Sequence, residues 1–242
     1  MVFSFIAGGR TSVRSRRVRG LTYGPRRPLS LHAPVGADGE APVVVILPSA
    51  VQGFWRRRDG VAVGRVLASR GFVALALGFD PAASLAQRLE DAAFACVWAQ
   101  RHAADHGGDP KRVFVLGHAD GACAAAMLAL DPRWLQAAGA EAVLCGVVGV
   151  SGLYDLEPLE AHAQAEAPPM LLIAEAEGPS GCSTSRLACA RRSAGGPVAE
   201  IRYPGLDAAS GLRGLADALG LPRTPLEEVE RFIRLCSLEP VG

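Results

Sequence analysis

The chain has 242 residues, a hydrophobic content of 50% and a formal net charge of +1. That length is typical of one large domain with a substantial core, and the small net charge predicts no general attraction to nucleic acid. No apolar run approaches the roughly 20 residues that a membrane-spanning helix requires, so we predict that the chain does not cross a membrane.

Apolar, β-branched runs alternate with runs of helix-forming residues along most of the chain. The predicted strands are Ser12 to Tyr23, Leu29 to His32, Val43 to Leu47, Val73 to Leu77, Val113 to Leu116, Val143 to Val150, Met170 to Ala174 and Val198 to Tyr203. The predicted helices are Val61 to Ser69, Ser84 to His106, Gly121 to Leu130, Ser183 to Arg192, Ser210 to Leu219 and Pro225 to Cys236. This alternation predicts an α/β fold with a doubly wound, mostly parallel sheet and helices on both faces. We expect a single domain over residues 12–242, preceded by an N-terminal arm over residues 1–11.

The start of the chain is rich in arginine and has no acidic residue before Asp38. A segment of this composition resembles mitochondrial or plastid import segments, which favours an intracellular, organellar protein; a cytoplasmic location is the alternative. The second interpretation is structural, because positive charge on an edge strand limits its pairing with other chains. The seven arginines are Arg10, Arg14, Arg16, Arg17, Arg19, Arg26 and Arg27.

A second basic cluster follows an aromatic residue in the middle of a predicted loop. It consists of Trp55 and the three arginines Arg56, Arg57 and Arg58. Tryptophan and arginine together are typical of interface anchors, although a solvated loop with one buried aromatic residue is an equal alternative. We predict that this cluster and the arginines of the first strand contact other protein subunits; the latter are Arg14, Arg16, Arg17 and Arg19.

The most informative motif follows the strand predicted at Val113 to Leu116. The sequence Gly117-His118-Ala119-Asp120-Gly121 has the spacing of a nucleophile elbow, a tight strand-to-helix turn of the form Gly-x-Ser-x-Gly. The two glycines permit the tight turn, but Ala119 stands where the nucleophilic serine is needed. The sequence therefore predicts the geometry of the elbow without its chemistry.

The residues before this motif complete a resemblance to a known family. Leu89-Glu90-Asp91 through Val97-Trp98, then Gly107-Gly108-Asp109-Pro110-Lys111-Arg112-Val113 and the elbow, resemble carboxylesterase and lipase-like α/β-hydrolases that carry an HGGG loop. Kynurenine-formamidase-like and small esterase members are the most similar. The resemblance implies an α/β-hydrolase fold with eight strands, the first two of which form an antiparallel edge.

Three further elements of that family's pattern are altered. The HGGG oxyanion loop is replaced by a segment beginning Pro48-Ser49, in which Pro48 has no N–H to donate and the following side chains crowd the approach. The loop that would hold the catalytic histidine reads Gly205-Leu206-Asp207-Ala208, with Ala208 in place of the imidazole. Glu177 can fill the position of the acid, but an acid without a histidine to orient has no catalytic task.

The remaining chemical groups give weaker signals. The six cysteines are scattered and lack metal-ligand spacing, so we predict reduced thiols, no metal site and no cofactor. Cys123 is expected to pack along its helix rather than replace the serine. His118 is expected to pack or hydrogen-bond beside the elbow, and Asp120 to be an exposed acid at a helix start rather than a general base. The other histidines are expected to face solvent at His102, His106 and His162, and to end an edge strand at His32.

Three interpretations of function remain. The first is an inactive hydrolase-like protein that serves as a structural or assembly subunit of a larger protein complex. The second is a protein that binds a small molecule in the old esterase pocket. The third is an enzyme that uses other groups for proton transfer, such as His118, Asp120 or Glu177.

Overall fold

The structure is a computed structural model that describes residues 13–23, 27–47, 49, 57–78, 80, 82–154, 166–204, 206 and 224–238. The strands are β1 (Ser15–Tyr23), β2 (Arg27–Pro34), β3 (Ala41–Leu47), β4 (Val73–Leu77), β5 (Gly108–His118), β6 (Gly146–Val150), β7 (Met170–Glu175) and β8 (Val198–Tyr203). The helices are α1 (Arg57–Ser69), α2 (Leu85–His102), α3 (Asp120–Leu130), α4 (Arg133–Ala137), α5 (Pro179–Ser193) and α6 (Pro225–Cys236), and a 3-10 turn at Ala103–His106 follows α2.

The eight strands form one sheet in the order β1-β2-β4-β3-β5-β6-β7-β8. The pairs β1–β2 and β2–β4 are antiparallel, and every later pair is parallel. This arrangement confirms both the mostly parallel sheet and the antiparallel edge implied by the family resemblance. Because parallel strands share one direction, the carboxyl ends of β5, β6, β7 and β8 lie along the same edge of the sheet.

The central strands are buried on both faces, so their side chains divide between two core layers. Val113 and Val115 of β5 pack in the layer that contains α2 and α3. Phe114 and Leu116 of the same strand pack in the opposite layer, with residues of α1 and α6. The alternation follows from the two-residue period of a strand, and burial on both faces explains why these strands are continuous apolar runs in the sequence.

Helix α2 begins at a capping box and continues along one core layer. The Ser84 hydroxyl accepts a hydrogen bond from the Gln87 N–H, and the Gln87 side chain accepts one from the Ser84 N–H. The apolar stripe that predicted this helix is buried at Leu89, Ala92 and Cys96. Its predicted end at His106 is correct only if the final 3-10 turn is counted, since the α-helix itself ends at His102.

Several predicted boundaries differ from the observed ones, for identifiable reasons. β6 begins at Gly146 rather than Val143, which is 55% exposed. α5 begins four residues early because Pro179 occupies its first turn, where a missing N–H does no harm. The short helix α4 was not predicted at all, and the helix predicted at 210–219 lies outside the described residues. No described helix has the length and apolar character needed to cross a membrane.

All six cysteines fall within the described residues and are free thiols. Cys96, Cys123 and Cys145 are buried, and burial raises the pKa of Cys96 to about 12. A thiol with such a raised pKa is protonated and unreactive at neutral pH.

His32 was expected to end an edge strand, but it lies within β2 and is 1% exposed. Its ring packs closely on α1, where a Cβ on Gly64 would lie 2.9 Å from His32 Cδ2. Burial, and then the charges of Arg17 and Arg65, lower the pKa of His32 from 6.5 to about 4. The side chain is therefore neutral in the folded protein at neutral pH.

We predict that His32 makes the folded state less stable in acid. Between pH 6.5 and pH 4 the unfolded chain binds a proton at His32 that the folded protein does not, so this contribution to stability is complete above pH 6.5 and is lost as the pH falls towards 4. The loss should be on the order of 1–3 kcal/mol. Urea unfolding across this range should show a shallower pH dependence for His32→Asn. The exposed His102→Asn serves as control, and an equal change in both variants would contradict the assignment.

Candidate active site

The turn between β5 and α3 has the backbone geometry of a nucleophile elbow. Strand β5 ends at His118, helix α3 begins at Asp120, and the single residue between them, Ala119, has φ 52° and ψ −118°. The Ala119 N–H donates to the Val150 carbonyl of β6 at 3.0 Å, and its carbonyl accepts from the Ala122 N–H at 3.1 Å. A non-glycine residue in this conformation is strained, and here the neighbouring strand and helix hold it in place.

The first glycine of the motif, Gly117, is required by the closeness of the turn. A Cβ added to Gly117 would lie 2.1 Å from the Gly121 carbonyl oxygen and 2.6 Å from the Ala122 Cα. Contacts that short do not occur in folded proteins, so no larger residue fits at position 117 without displacing α3. The glycine spacing in the sequence therefore encodes the direct transition from strand to helix.

The side chain at the centre of this elbow is a methyl group. Ala119 is partly exposed, and its Cβ occupies the position from which a serine hydroxyl extends in an active hydrolase. A methyl group has neither a lone pair nor an exchangeable proton, so it cannot form an acyl intermediate.

Asp120 was predicted to be an exposed acid at a helix start; it is the first residue of α3, as expected, but it is only partly exposed. Its carboxylate forms an ion pair with Arg88 of α2 at 2.5 Å, and the two side chains are 26% and 19% exposed. Arg88 also donates to the Ala83 carbonyl at 3.2 Å, which fixes the guanidinium against the start of α2. In active relatives the N–H of this residue helps to stabilise an oxyanion, and a carboxylate at the same residue adds an opposing charge beside it.

The imidazole of His118 and the thiol of Cys123, which lie on either side of Ala119 in the sequence, are both buried in the core. His118 is 1% exposed, and its place in the strand alternation directs its side chain to the layer of α1 and α6, opposite α3. Cys123 is 5% exposed and lies in the layer of α2 and α3. The observed burial of both residues agrees with the packing role expected for each.

The loop that follows β7, where hydrolases of this fold carry their acid, is tied to its surroundings. Glu175 accepts hydrogen bonds from the N–H of Ser180, at 3.1 Å, and from the Ser180 hydroxyl. Arg202 of β8 donates to the carbonyls of Glu175, Ala176 and Gly181. Glu175 therefore stabilises the start of α5, and Arg202 holds the loop against the edge of the sheet.

Glu177, the predicted occupant of the acid position, is exposed in the turn before α5. The two other altered elements fall mainly outside the described residues, including Pro48, Trp55, Arg56 and Ala208. Ser49 is buried, with an exposure of 6%. Arg57 and Arg58 begin α1, but only their backbone is described. Within the described residues, no group of three or more His, Cys, Asp or Glu side chains has the arrangement of a metal site.

Ser151 belongs to the site but was not predicted. It follows β6 directly, is 1% exposed and has φ 49°. Among the described non-glycine residues, positive φ occurs at Ser151 and at Ala119, which follow the adjacent strands β6 and β5. Its N–H donates to the Ile173 carbonyl of β7 at 2.8 Å. Its hydroxyl has no hydrogen-bond partner among the described residues. The Ser-Gly pair after a buried strand is the sequence signal that marks this turn.

Tyr154, also not predicted, fills the space behind the elbow. A Cβ on Gly149 would lie 2.0 Å from its hydroxyl, and a Cβ on Gly152 would lie 2.3 Å from its ring. Burial, and to a smaller extent the nearby Cys123 thiol, raise the pKa of the Tyr154 phenol above its usual range. The Tyr154 N–H donates to the Ser183 hydroxyl at 2.5 Å, which joins this segment to α5.

The strand order and the elbow together define an α/β-hydrolase fold. Solved structures with the same fold include an esterase from Pseudomonas putida, with a TM-score of 0.69, 15% identity and coverage of 96% of this chain and 83% of that one. Esterase B from Lactobacillus rhamnosis, inhibited by a tributyrin phosphonate, has a TM-score of 0.75 and 15% identity, with coverage of 93% and 86%. At this level of identity the likeness shows the fold alone.

Sequence comparison finds similarity to plant methylesterases. The chain is 28% identical over 158 residues to a probable isoprenylcysteine alpha-carbonyl methylesterase of Oryza sativa, which covers 61% of this chain and 37% of the relative. It is 28% identical over 153 residues to the isoprenylcysteine alpha-carbonyl methylesterase of Arabidopsis thaliana, covering 60% and 36%. The chain thus spans little more than a third of the length of these relatives. No family model matches it.

The strain at Ala119 leads to a prediction about stability. Glycine relieves a cost of about 1–3 kcal/mol for positive φ and adds about 0.5–1 kcal/mol of backbone entropy, so Ala119→Gly should stabilise the protein by about 1 kcal/mol. The matched control is Ala122→Gly, in regular helix three residues later, which should destabilise it by about 1 kcal/mol or more. Urea unfolding of both variants gives the two free energies. Destabilisation by both would contradict the strain at Ala119.

Proposed function

We propose that this protein is a hydrolase-fold protein without acyl-transfer activity, which serves as a structural or assembly subunit of a larger protein complex. The observation that carries the first part is Ala119 in the strained position of the nucleophile. Strained residues of this kind cluster at active sites, and here the strained conformation is retained with no reactive atom. In a well-studied serine hydrolase, removing the nucleophile lowers turnover by roughly a millionfold, or about 8 to 9 kcal/mol.

The surroundings of the elbow support the loss of activity independently. Asp120 is held by Arg88, and Glu175 is engaged with Ser180, so neither carboxylate is placed to orient a catalytic histidine. In the sequence, Pro48 and Ala208 stand where an oxyanion donor and the histidine are expected, although both lie outside the described residues. Changes at several separate parts of one mechanism are typical of a site that is no longer under selection for that reaction.

The relatives are named as esterases, but their likeness to this chain supports a shared fold and does not show a shared reaction. Their activity requires a nucleophile that position 119 of this chain does not provide. The sheet, the elbow and the core are therefore the features that this chain shares with the esterases, whereas its proposed role in assembly depends on its surface.

The assembly role is supported by the charge of the first strand. The side chains of Arg14, Arg16 and Arg19 are exposed on or beside β1 and form no ion pair with the described residues. β1 is part of the sheet, so these arginines belong to the fold itself. The arginine-rich start of the chain also has the composition of an import segment, and we therefore propose that the protein works in a mitochondrion or plastid. There the basic strand would face a neighbouring subunit.

A small-molecule-binding role is the second candidate, and the Ser151 hydroxyl favours it. A buried hydroxyl without a partner costs free energy, which a ligand that accepts or donates a hydrogen bond at this position would recover. Thermal-shift screening of short-chain esters and carboxylates tests this candidate. A stabilising compound whose effect is lost in Ser151→Ala would support ligand binding, and the absence of any such compound would count against it.

The proposed loss of chemistry predicts no reaction with a fluorophosphonate probe. The protein should form no covalent adduct at any residue, as measured by intact-mass spectrometry, because no activated hydroxyl stands at the elbow. A serine esterase of the same fold, labelled in parallel, is the positive control. An adduct at a residue near Ala119 would contradict the proposal.

A restoration experiment tests the alignment of the altered elements. In Ala119→Ser combined with Ala208→His we expect esterase turnover to stay within about tenfold of the background, because the oxyanion loop remains unsuited to its task. Hydrolysis of p-nitrophenyl butyrate measures this, with each single variant as control. Robust turnover in the double variant would show that the oxyanion site is intact.

The proposed subunit role predicts the state of the protein in its own cell. Native size separation of a gentle extract should place the protein in particles much larger than its own mass of 25.2 kDa. A protein found only as a monomer would contradict the assembly role while leaving the loss of chemistry unaffected.

A further inference from the structure

The outer edge of β1 presents backbone groups that no described strand pairs with. β1 lies at the end of the sheet and pairs only with β2 among the described strands. The Val35 N–H donates to the Arg14 carbonyl at 2.7 Å, and in this register Arg16 faces Ala33. Because antiparallel pairs alternate between bonded and non-bonded positions, Arg14 and Arg16 direct their backbone groups to β2, whereas Ser15 and Arg17 direct theirs outward.

The arginines at this edge differ from those elsewhere in the described part of the chain. Other described arginines form ion pairs with carboxylates, namely Arg70, Arg88, Arg112, Arg133, Arg192, Arg202 and Arg234. The described arginine side chains without a hydrogen bond or ion pair to the described residues are Arg14, Arg16, Arg19 and Arg65. Three of them lie on or next to β1, and Arg65 lies on α1 beside β2. Among the described arginines, those with neither a hydrogen bond nor an ion pair therefore lie on β1, next to it, or on the helix that packs beside β2.

Two histidines on opposite faces of this edge respond to that charge. After burial, the largest cause, Arg17 and Arg65 lower the pKa of His32 on the α1 face. On the α2 face, burial and then Arg16 lower the pKa of His106. The arginines of β1 and α1 thus influence groups on both faces of the sheet. This favours a partner that lies along the edge of β1 over one that covers a single face of the sheet.

A cleft adjoins Val13, two residues before β1. It has a volume of about 540 Å³ and lies at the amino ends of the parallel strands, on the side of the sheet away from the elbow. Its walls include Val13, Val35 and Leu238, which are 38%, 51% and 81% exposed. Exposed apolar side chains that gather around one cleft are typical of a binding surface.

We propose that a partner protein adds an extended segment to the outer edge of β1, and that this segment is rich in Asp and Glu and carries a large apolar side chain that enters the cleft. This inference rests on the proposed function and names the kind of partner that the basic strand binds. Strand addition uses the outward N–H and C=O groups of Ser15 and Arg17 for affinity, and the unpaired arginines select acidic side chains. Nucleic acid would be attracted by the same arginines but would not depend on the strand edge.

The test uses a fluorescein-labelled peptide, Leu-Glu-Val-Glu-Val-Glu-Leu, and fluorescence anisotropy at low salt. The full-length protein should bind it, and Ser15→Pro should weaken binding by about tenfold or more, since proline removes an outward N–H and projects its ring into the partner's place. Ser15→Ala is the matched control, because it removes the same hydroxyl but keeps the N–H, and it should bind like the wild type. Both variants should unfold at similar urea concentrations, since the lost N–H does not serve the β1–β2 ladder.

A charge variant and a nucleic-acid arm complete the experiment. Arg16→Glu combined with Arg19→Glu should weaken peptide binding by about tenfold or more, and a lysine version of the peptide should not bind. The proposal is overturned if the acidic peptide does not bind, if Ser15→Pro binds as Ser15→Ala does, or if a short oligouridylate binds more tightly than the peptide and is unaffected by Ser15→Pro. Peptide binding by a protein that is monomeric in its cell would retain this inference and refute the subunit role. A large native particle without peptide binding would do the reverse.

Discussion

The close approach of Gly117 and Gly121 is the constraint on which the centre of this molecule depends. Because Gly117 has no side chain, α3 can begin one residue after β5 and lie directly against the sheet. The alanine-rich face of α3 then packs in the same core layer as α2. The conformation of Ala119 is a consequence of this packing: the chain must reverse direction within a single residue, and the surrounding close-packed core leaves it no alternative.

Much of the fold was predictable because its strands are buried on both faces. Val73–Leu77 and Val198–Tyr203 were predicted to the residue, since apolar or β-branched runs bounded by turn residues have few other structures available. β5 extends to Gly108 because its first residues pair through their backbone, which leaves no mark on the side-chain pattern. Helix α4 has five residues and is too short to show a helical period.

The site was predictable only where it depends on local sequence. The elbow was found because glycine spacing encodes the turn directly. The ion pair between Arg88 and Asp120 joins residues far apart in sequence, and the hydrogen bonds of Arg202 depend on how far one long side chain reaches across a strand edge. Contacts of that kind follow from the three-dimensional packing, and one sequence contains no signal for them.

The opposite edge of the sheet gives the unpaired arginines of β1 a further significance. At β8, burial alone would raise the pKa of Glu200, but hydrogen bonds from Ser185, Arg202 and Arg192 outweigh it and hold the pKa below its usual range. The carboxylate is thereby neutralised by groups of its own subunit. An uncompensated carboxylate at β8 would complement the basic edge of another copy, and head-to-tail contacts of that kind build rings or open filaments. Because the only acid of β8 is already bonded within its own subunit, this edge offers no free carboxylate to the basic edge of another copy.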